Sequence, residues 1–284
     1  MNVFVSSKKG QRESNEDRHL IITNRLEKKT EYPPIDIYGI FDGHGGNLVA
    51  SVLAKLIPKI FYHKLSEPSI ITYPLTRSAT NKACVMIQNY LDTNFNKESK
   101  ECGSTCLLIF RFTQTVTSSG KSKNTVADNS NDVINIVNVG DSRAIICSNN
   151  IGKQLTVDHK PLDPTEKQRI LKHGGTIYSD GVEWRVGNLS LTRAFGDTTS
   201  QLTKPVPDVF VRKITKHDKF IVMACDGLWD VIDNQAVVNF ILHHCYDPHT
   251  DARINTSFNI AEALAKYAIK LGSSDNVSVI VIFL

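Results

Sequence analysis

The chain has 284 residues, and 33 lysines and arginines nearly balance 29 aspartates and glutamates, so the net charge is only +4. Such a small and scattered charge does not indicate a nucleic-acid partner. No apolar stretch reaches the roughly 18 residues of a membrane span, and residues 1–10 lack the apolar core of a signal peptide. We therefore expect a cytoplasmic or otherwise intracellular monomer that binds neither membranes nor nucleic acid.

Short apolar runs with β-branched residues predict strands, and apolar stripes at helical spacing predict helices. In chain order these are strands at 20–23 and 35–41, helices at 48–61 and 74–95, strands at 106–112, 133–139 and 144–147, a helix at 164–173, a strand at 220–225, helices at 236–245 and 260–271, and a strand at 277–284. Because the strands cluster with short connections, this order favours antiparallel sheets flanked by helices over regular βαβ repeats.

One segment, residues 113–132, is almost wholly polar. It cannot bury apolar area, and the runs on either side of it are typical of hairpin partners. We therefore predict a single domain over residues 1–284 with a polar surface loop at about 113–132.

The six cysteines form no CxxC pair, and several lie inside apolar runs. We expect buried, reduced thiols, with zinc binding as the alternative. A chain of this length can bury a sufficient core without disulfide bonds.

Acidic residues recur where predicted strands begin or end. They are Asp42 after strand 35–41, Asp226 after strand 220–225, Asp275 before the last strand, and Glu16 and Asp17 before the first. Carboxylates are costly to gather unless a cation neutralises them, and ligand sets made only of oxygen suit magnesium, manganese or calcium. Two such cations sharing a carboxylate would activate a water for displacement at phosphorus. A single Asp-Gly after a strand is more often a turn, so the residues alone leave both interpretations open.

A series of motifs spans nearly the whole chain. In order they are GQR at 10–12 leading to ED at 16–17, FDGHGG at 41–46, GST at 103–105, NVGDSR at 138–143, DHKP at 158–161, RAFGD at 193–197, DGLWD at 226–230 and DN at 275–276. With this ordered set, the chain resembles the protein phosphatase 2C family, the metal-dependent Ser/Thr protein phosphatases.

The resemblance implies an α+β fold, a four-layer α-β-β-α sandwich of two antiparallel sheets flanked by helices, forming a single phosphatase catalytic domain over 1–284. It also implies hydrolysis of phosphomonoesters in a phosphorylated protein substrate. The nucleophile would be a water activated by two divalent cations, magnesium or manganese. The absence of a Cys-x₅-Arg loop supports direct attack without a phospho-enzyme intermediate.

The resemblance assigns roles to individual residues. The implied ligands of the two cations are Asp42, which would bridge them, the Gly43 carbonyl, Asp226 and Asp275. The implied holders of the waters on the cations are Glu16 and Asp17, and the family's weaker third metal site matches Asp141 and Asp230 together with Asp226. Arg12 would bind the substrate phosphate with its planar, bidentate fork. His44 would be the general acid, although a loop hydrogen bond is the alternative for a lone histidine beside glycines.

Two departures from the family pattern leave these residues in place. Thr192 stands where serine is usual, but it keeps the hydroxyl, and the polar segment is longer than the usual connection. Every metal-ligand position is occupied by the expected residue, which favours an active enzyme. The alternative is a catalytically weak pseudophosphatase that acts as a phosphoprotein-binding module. A nucleic-acid protein would need a clustered basic face with aromatic residues, which the sequence lacks.

Overall fold

A computed structural model describes residues 2–23, 35–63, 74–113 and 132–284, without the side chains of residues 62 and 63. The strands are β1 (Val3–Lys8), β2 (Arg18–Ile22), β3 (Ile35–Phe41), β4 (Gly43–His44), β5 (Gly103–Ser104), β6 (Cys106–Thr113), β7 (Asp132–Val139), β8 (Arg143–Ser148), β9 (Ile151–Gln154), β10 (Tyr178–Ser179), β11 (Trp184–Arg185), β12 (Phe195–Gly196), β13 (Asp208–Lys213), β14 (Asp218–Ala224) and β15 (Val277–Phe283). The helices are α1 (Leu48–Pro58), α2 (Arg77–Asn94), α3 (Pro164–Lys172), α4 (Asp226–Trp229), α5 (Asn234–Cys245) and α6 (Ile260–Lys270).

Two five-stranded antiparallel sheets form the centre of the described part of the molecule. Sheet I has the strand order β1-β15-β14-β8-β9, and sheet II has the order β13-β7-β6-β3-β2. The strands β3, β7 and β15 are buried along their whole length. This agrees with their apolar residues at successive positions, because a strand covered on both faces cannot alternate with polar residues.

The buried apolar side chains form three layers. One layer lies between the two sheets, and one lies between each sheet and the helices on its outer face. Between the sheets lie fully buried aliphatic side chains such as Ile109, Ile146 and Ile221. The outer face of sheet II packs against α1 and α2, and the outer face of sheet I packs against α5 and α6. The predicted four-layer α-β-β-α sandwich is therefore confirmed.

The structure moves some predicted boundaries and adds elements. Helix α2 begins at Arg77 rather than at 74, because the Thr76 hydroxyl accepts a hydrogen bond from the Ala79 N–H and caps the helix. Helix α1 ends at Pro58, and a π-helical turn at Lys59–His63 follows it. Strands β1 and β13 were not predicted, since each lies at a sheet edge and has polar side chains among its apolar ones.

Residues 114–131, the bulk of the predicted polar loop, lie outside the described residues. The strands on either side of that loop, β6 and β7, pair antiparallel from Cys106↔Val139 to Thr113↔Asp132. All six cysteines are buried and free of disulfide bonds. Within the described ranges, no helix is long and apolar enough to cross a membrane.

Truncation of Ile221 tests the packing between the sheets. Ile221→Ala is expected to lower the free energy of unfolding by about 2–5 kcal/mol, because the side chain is fully buried and leaves a cavity. Urea unfolding followed by circular dichroism measures the change. The control Val211→Ala, at a position 52% exposed on β13, should change stability by less than about 0.5 kcal/mol. Equal losses for the two variants would contradict the described inter-sheet core.

Candidate metal centre

The candidate acidic residues lie at one shared end of the two sheets. Because the strands pair antiparallel, the end of β3 lies beside the starts of β2 and β6, and the end of β14 lies beside the starts of β8 and β15. The residues at that end are Asp17 before β2, Asp42 after β3, Asp141 between β7 and β8, Asp226 after β14, and Asp275 just before β15. The topology thus gathers carboxylates that are far apart in the sequence.

Several of these aspartates border one pocket of about 290 Å³. Its lining includes Asp42, Asp141, Asp226 and Asp275, together with Arg12, Gly43 and His44. One carboxylate oxygen of Asp17, one of Asp42 and the Cys225 sulfur lie within 4.8 Å of one another. The structure therefore brings together Asp42, Asp226 and Asp275, the three residues on which the predicted metal site depends.

Close backbone packing fixes the segment that carries Asp42. A Cβ on Gly43 would lie 2.6 Å from the Glu16 carbonyl oxygen, so any larger residue would push this loop away from the N-terminal segment. The Asp42 N–H donates to the Thr105 hydroxyl at 3.0 Å, and the Thr105 N–H donates to the Asp42 carbonyl at 2.9 Å. The Thr105 hydroxyl also bonds Ser142, which ties Asp42 to the connection that carries Asp141.

Burial and mutual repulsion make the ionised aspartates costly in this pocket. Burial raises the pKa of Asp42 well above its ordinary value, and the nearby Asp17 and Asp226 raise it further. Burial raises the pKa of Asp17 to about 6 and that of Asp141 to about 7, although Lys160 partly opposes the rise at Asp141. The pKa of Asp275 is raised by burial and by Asp226. Carboxylates arranged in this way are stabilised when a cation binds them.

The oxygens themselves fit a metal. Asp17 Oδ1 and Asp141 Oδ1 are buried and have no hydrogen-bond partner within the described residues. Leaving buried acceptors unpaired costs free energy unless something outside the polypeptide binds them. A donor set of carboxylate and carbonyl oxygens suits magnesium or manganese.

The Cys225 thiol does not belong to that donor set. Burial, followed by the nearby Asp17 and Asp42, raises its pKa well above the ordinary value, and a thiol suits softer metals than magnesium or manganese. The thiol donates to the Asn276 carbonyl at 3.3 Å, and its sulfur accepts from the Ser278 N–H at 3.1 Å. Cys225 therefore packs β14 against β15 beneath the acidic residues.

Two cationic side chains reach into the acidic group. Arg12 Nη2 donates to Asp275 Oδ2 at 2.8 Å, while 60% of the Arg12 side chain remains exposed. Lys160 Nζ lies 2.6 Å from Asp141 Oδ2 and 3.3 Å from Asp226 Oδ2, and these carboxylates raise its pKa despite its burial. Sequence reasoning found the DHKP motif but gave Lys160 no role, because only the fold brings it to Asp141.

Glu16 and Asp230 lie at the edge of this group rather than in the lining of the pocket. The Glu16 carboxylate accepts from the Ser14 hydroxyl at 3.1 Å and from the Gly46 N–H at 3.0 Å, so it orders the glycine-rich loop. Asp230 lines a neighbouring cleft with Trp229. Burial and the nearby Asp226 still raise the Asp230 pKa to about 6, which places Asp230 within electrostatic reach of Asp226.

Asn276 holds the N-terminal segment over the site. Its side-chain N–H groups donate to the carbonyls of Lys9 and Ser14 at 2.8 and 2.9 Å, and its Oδ1 accepts from the Glu16 N–H at 2.8 Å. The sequence motif at 275–276 predicted a role for Asp275 but none for the asparagine. A buried amide that satisfies three backbone groups of one loop is a strong positioning device.

His44 lies on β4 and lines the same pocket. Its Nε2 is 2.8 Å from Asp197 Oδ2, and Asp197 belongs to the RAFGD motif. The Thr192 hydroxyl, where the family usually has serine, lies 2.6 Å from a Glu166 carboxylate oxygen and 3.0 Å from the His159 carbonyl oxygen, and its single proton can be donated to either. The retained hydroxyl is thus used in a buried network behind the site.

Comparison with known proteins agrees with this architecture. A family model described as Protein phosphatase 2C matches residues 1–277. The chain is 42% identical over 168 residues to a PP2C-like domain-containing protein of Acanthamoeba polyphaga mimivirus, covering 53% of this chain and 93% of that protein. It is 30% identical over 308 residues to the integrin-linked kinase-associated serine/threonine phosphatase 2C of Mus musculus, covering 98% of this chain and 71% of that protein.

Solved structures also resemble this fold. A phosphatase from a pathogenic strain of Toxoplasma gondii superimposes with a TM-score of 0.76 at 25% sequence identity. The superposition covers 99% of this chain and 92% of that chain. The sandwich of two antiparallel sheets is therefore shared across almost the whole length.

The raised pKa values predict how stability depends on pH without metal. An acid with a higher pKa in the folded than in the unfolded state makes folding less favourable as the pH rises from the lower value to the higher. For Asp17 and Asp141 that interval runs from 3.8 to about 6 and about 7. Chelator-treated protein should therefore melt roughly 5 °C or more lower at pH 7.5 than at pH 5.5, and added Mn²⁺ should remove most of that difference.

Thermal unfolding with chelator and with MnCl₂ at both pH values measures this effect. Asp17→Asn should make the decrease in melting temperature between pH 5.5 and pH 7.5 smaller in the chelator-treated protein, because asparagine does not ionise in the buried site. Glu98→Gln, on the exposed surface, should leave this decrease in melting temperature unchanged. A melting temperature that does not decrease over this interval in chelator would contradict the described electrostatics.

Proposed function

Because the chain belongs to the protein phosphatase 2C family, whose members are metal-dependent serine/threonine protein phosphatases, we propose that it is an active enzyme of this kind. The substrate would be a phosphoserine or phosphothreonine monoester in another protein. The observation that carries the proposal is the convergence of Asp42, Asp226 and Asp275 on one pocket, with Arg12 and His44 in the same lining.

The residues that would hold the cations are Asp42, the Gly43 carbonyl, Asp226 and Asp275, with Glu16 and Asp17 behind them and with Asp141 and Asp230 beside Asp226 for a weaker third cation. When bound, two divalent cations, magnesium or manganese, would acidify a water and neutralise charge on the phosphate. The unpaired oxygens of Asp17 and Asp141 and the raised pKa values support this assignment.

Arg12 would bind the substrate phosphate. Its guanidinium lies in the pocket lining, and one of its nitrogens contacts Asp275. Because most of the side chain is exposed, the remaining N–H donors can meet an incoming phosphate in the fork-like geometry that arginine favours. Its ion pair with Asp275 would orient the guanidinium towards the pocket.

His44 would protonate the leaving oxygen. The alkoxide of serine or threonine is a poor leaving group, so a positioned acid should accelerate the step by roughly 10²–10⁴-fold. His44 follows Asp42 by two residues and lines the same pocket. This position supports the acid role over that of a simple loop hydrogen bond.

The nucleophile would be water rather than a protein side chain. All six cysteines are buried, and burial raises the pKa of each thiol. A thiolate nucleophile requires a lowered pKa and exposure to substrate. These properties support direct hydrolysis without a phospho-enzyme intermediate.

Removal of a carboxylate or of the metal tests the proposal. Asp42→Ala and Asp226→Ala should each abolish turnover of p-nitrophenyl phosphate and of a phosphothreonine peptide, since the proposed ligand set is broken. Chelation should also abolish turnover, and added Mn²⁺ should restore it. The control Glu98→Ala should retain full activity.

The same assay separates an enzyme from a binding module. A pseudophosphatase would bind phosphopeptide but show no turnover with added Mn²⁺. Turnover that survives exhaustive chelation would refute the metal mechanism. The complete set of carboxylates at the pocket supports the active enzyme.

A further inference from the structure

A small sheet brings His44 and Asp197 together from distant parts of the chain. Its three strands have the order β12-β5-β4. His44 pairs with Gly103, and Gly103 pairs with Gly196, so Gly103 lies between the two outer strands. Asp197 follows Gly196 directly, and its carboxylate therefore reaches the imidazole across β5.

The contact between the two side chains is short and shielded. Asp197 Oδ2 lies 2.8 Å from His44 Nε2, and only 6% of the Asp197 side chain is exposed. A Cβ on Gly103 would lie 2.2 Å from Asp197 Oδ2 and 2.4 Å from His44 Nε2. Glycine at position 103 is thus what gives the pair its space.

The backbone at Asp197 is held in an unfavourable conformation. Asp197 has φ +46°, in the left-handed region that residues other than glycine seldom adopt. Its N–H donates to the Cys102 carbonyl at 3.2 Å, and Gln88 from α2 bonds Gly196 through both N–H and carbonyl. Strain that is held in place at a functional position points to a role for the side chain it presents.

We propose that Asp197 is a positioning residue that holds His44 for proton donation. The inference rests on the proposed acid role of His44. The Asp197 carboxylate accepts the Nε2–H, which fixes the ring and leaves Nδ1 to serve the substrate.

In the proposed step His44 gives one proton to the leaving oxygen and regains one from the attacking water. The Nδ1 proton of the imidazolium passes to the ester oxygen, which takes the electron pair of the breaking P–O bond. The imidazole becomes neutral and keeps its Nε2–H on Asp197. Water supplies the new oxygen on phosphorus, and the proton that this water releases returns the histidine to its starting state.

The test compares two leaving groups in the metal-loaded enzyme. Asp197→Asn retains the shape, and asparagine tolerates the left-handed conformation, so the variant should fold. We expect kcat on a phosphothreonine peptide to fall by roughly 10–100-fold, with KM little changed. On p-nitrophenyl phosphate, whose phenolate leaves without a proton, the fall should be less than about 3-fold.

Two further variants sharpen the test. His44→Gln should show the same selective loss, and His44→Gln with Asp197→Asn should be no slower on the peptide than His44→Gln alone, because both act through one proton transfer. Glu98→Gln is the control. Glu98 is exposed and lines neither the catalytic pocket nor the adjacent polar pocket that Asp197 borders, so the ratio of the two activities should not change.

The outcomes distinguish this inference from the proposed function. Equal losses on both substrates in Asp197→Asn, or additive losses in the double variant, would mean that Asp197 is only structural. If His44→Gln is selective and Asp197→Asn is not, the positioning role alone is wrong. If His44→Gln itself shows no selectivity, the acid role of His44 is wrong, and the inference fails with it.

Discussion

The repulsion among carboxylates at one end of two packed sheets is the constraint on which this site depends. Six aspartates gather there: Asp17, Asp42, Asp141, Asp226, Asp230 and Asp275. In the described part of the chain, the cations that contact them through ion pairs are Arg12 and Lys160. Five of these carboxylates are buried or half-buried and that of Asp230 is exposed. Two positive side chains cannot offset them, so the folded protein holds negative charge for which divalent cations are the natural partners. This imbalance agrees with the metal dependence of the family.

The same constraint explains why glycines and buried amides surround the site. The chain passes from one sheet to the other next to the carboxylates, and the crossing segments must approach one another at backbone distance. A Cβ on Gly227 would lie 2.0 Å from the Asn276 carbonyl oxygen, and one on Gly10 would lie 2.0 Å from the Asp275 carbonyl oxygen. Asn276 then satisfies the polar groups of the N-terminal segment. Close backbone approach and the hydrogen bonds of Asn276 together hold the loops that carry the acidic residues in place.

How far the sequence predicts this arrangement depends on the range of each interaction. Apolar runs that end in aspartate report local structure, so the strands that carry Asp42 and Asp226 were predicted within a few residues. The edge strands β1 and β13 were not predicted, because they are only partly covered by the rest of the protein. Their sequences therefore mix polar and apolar residues instead of forming an apolar run. The contact of Lys160 with Asp141 could not be predicted from a local sequence pattern, because it forms only when β7, β8 and the following loop are folded together. The DHKP motif contains Lys160, but the sequence does not predict which residues its side chain contacts.

The tripeptide Asp42-Gly43-His44 joins two structural frameworks. The metal centre depends on the register of the two large sheets, whereas His44 and Asp197 depend on the small sheet that Gln88 of α2 fixes. Only Gly43 separates the carboxylate from the imidazole, and a Cβ at this position would lie 2.6 Å from the Glu16 carbonyl oxygen, so the segment packs closely against the N-terminal segment. Each framework can therefore hold its group rigidly while the short covalent link sets the distance between them. This arrangement gives a reason for the consecutive carboxylate, glycine and histidine: a change in the spacing would preserve both frameworks but separate the two groups that we propose act on one phosphate.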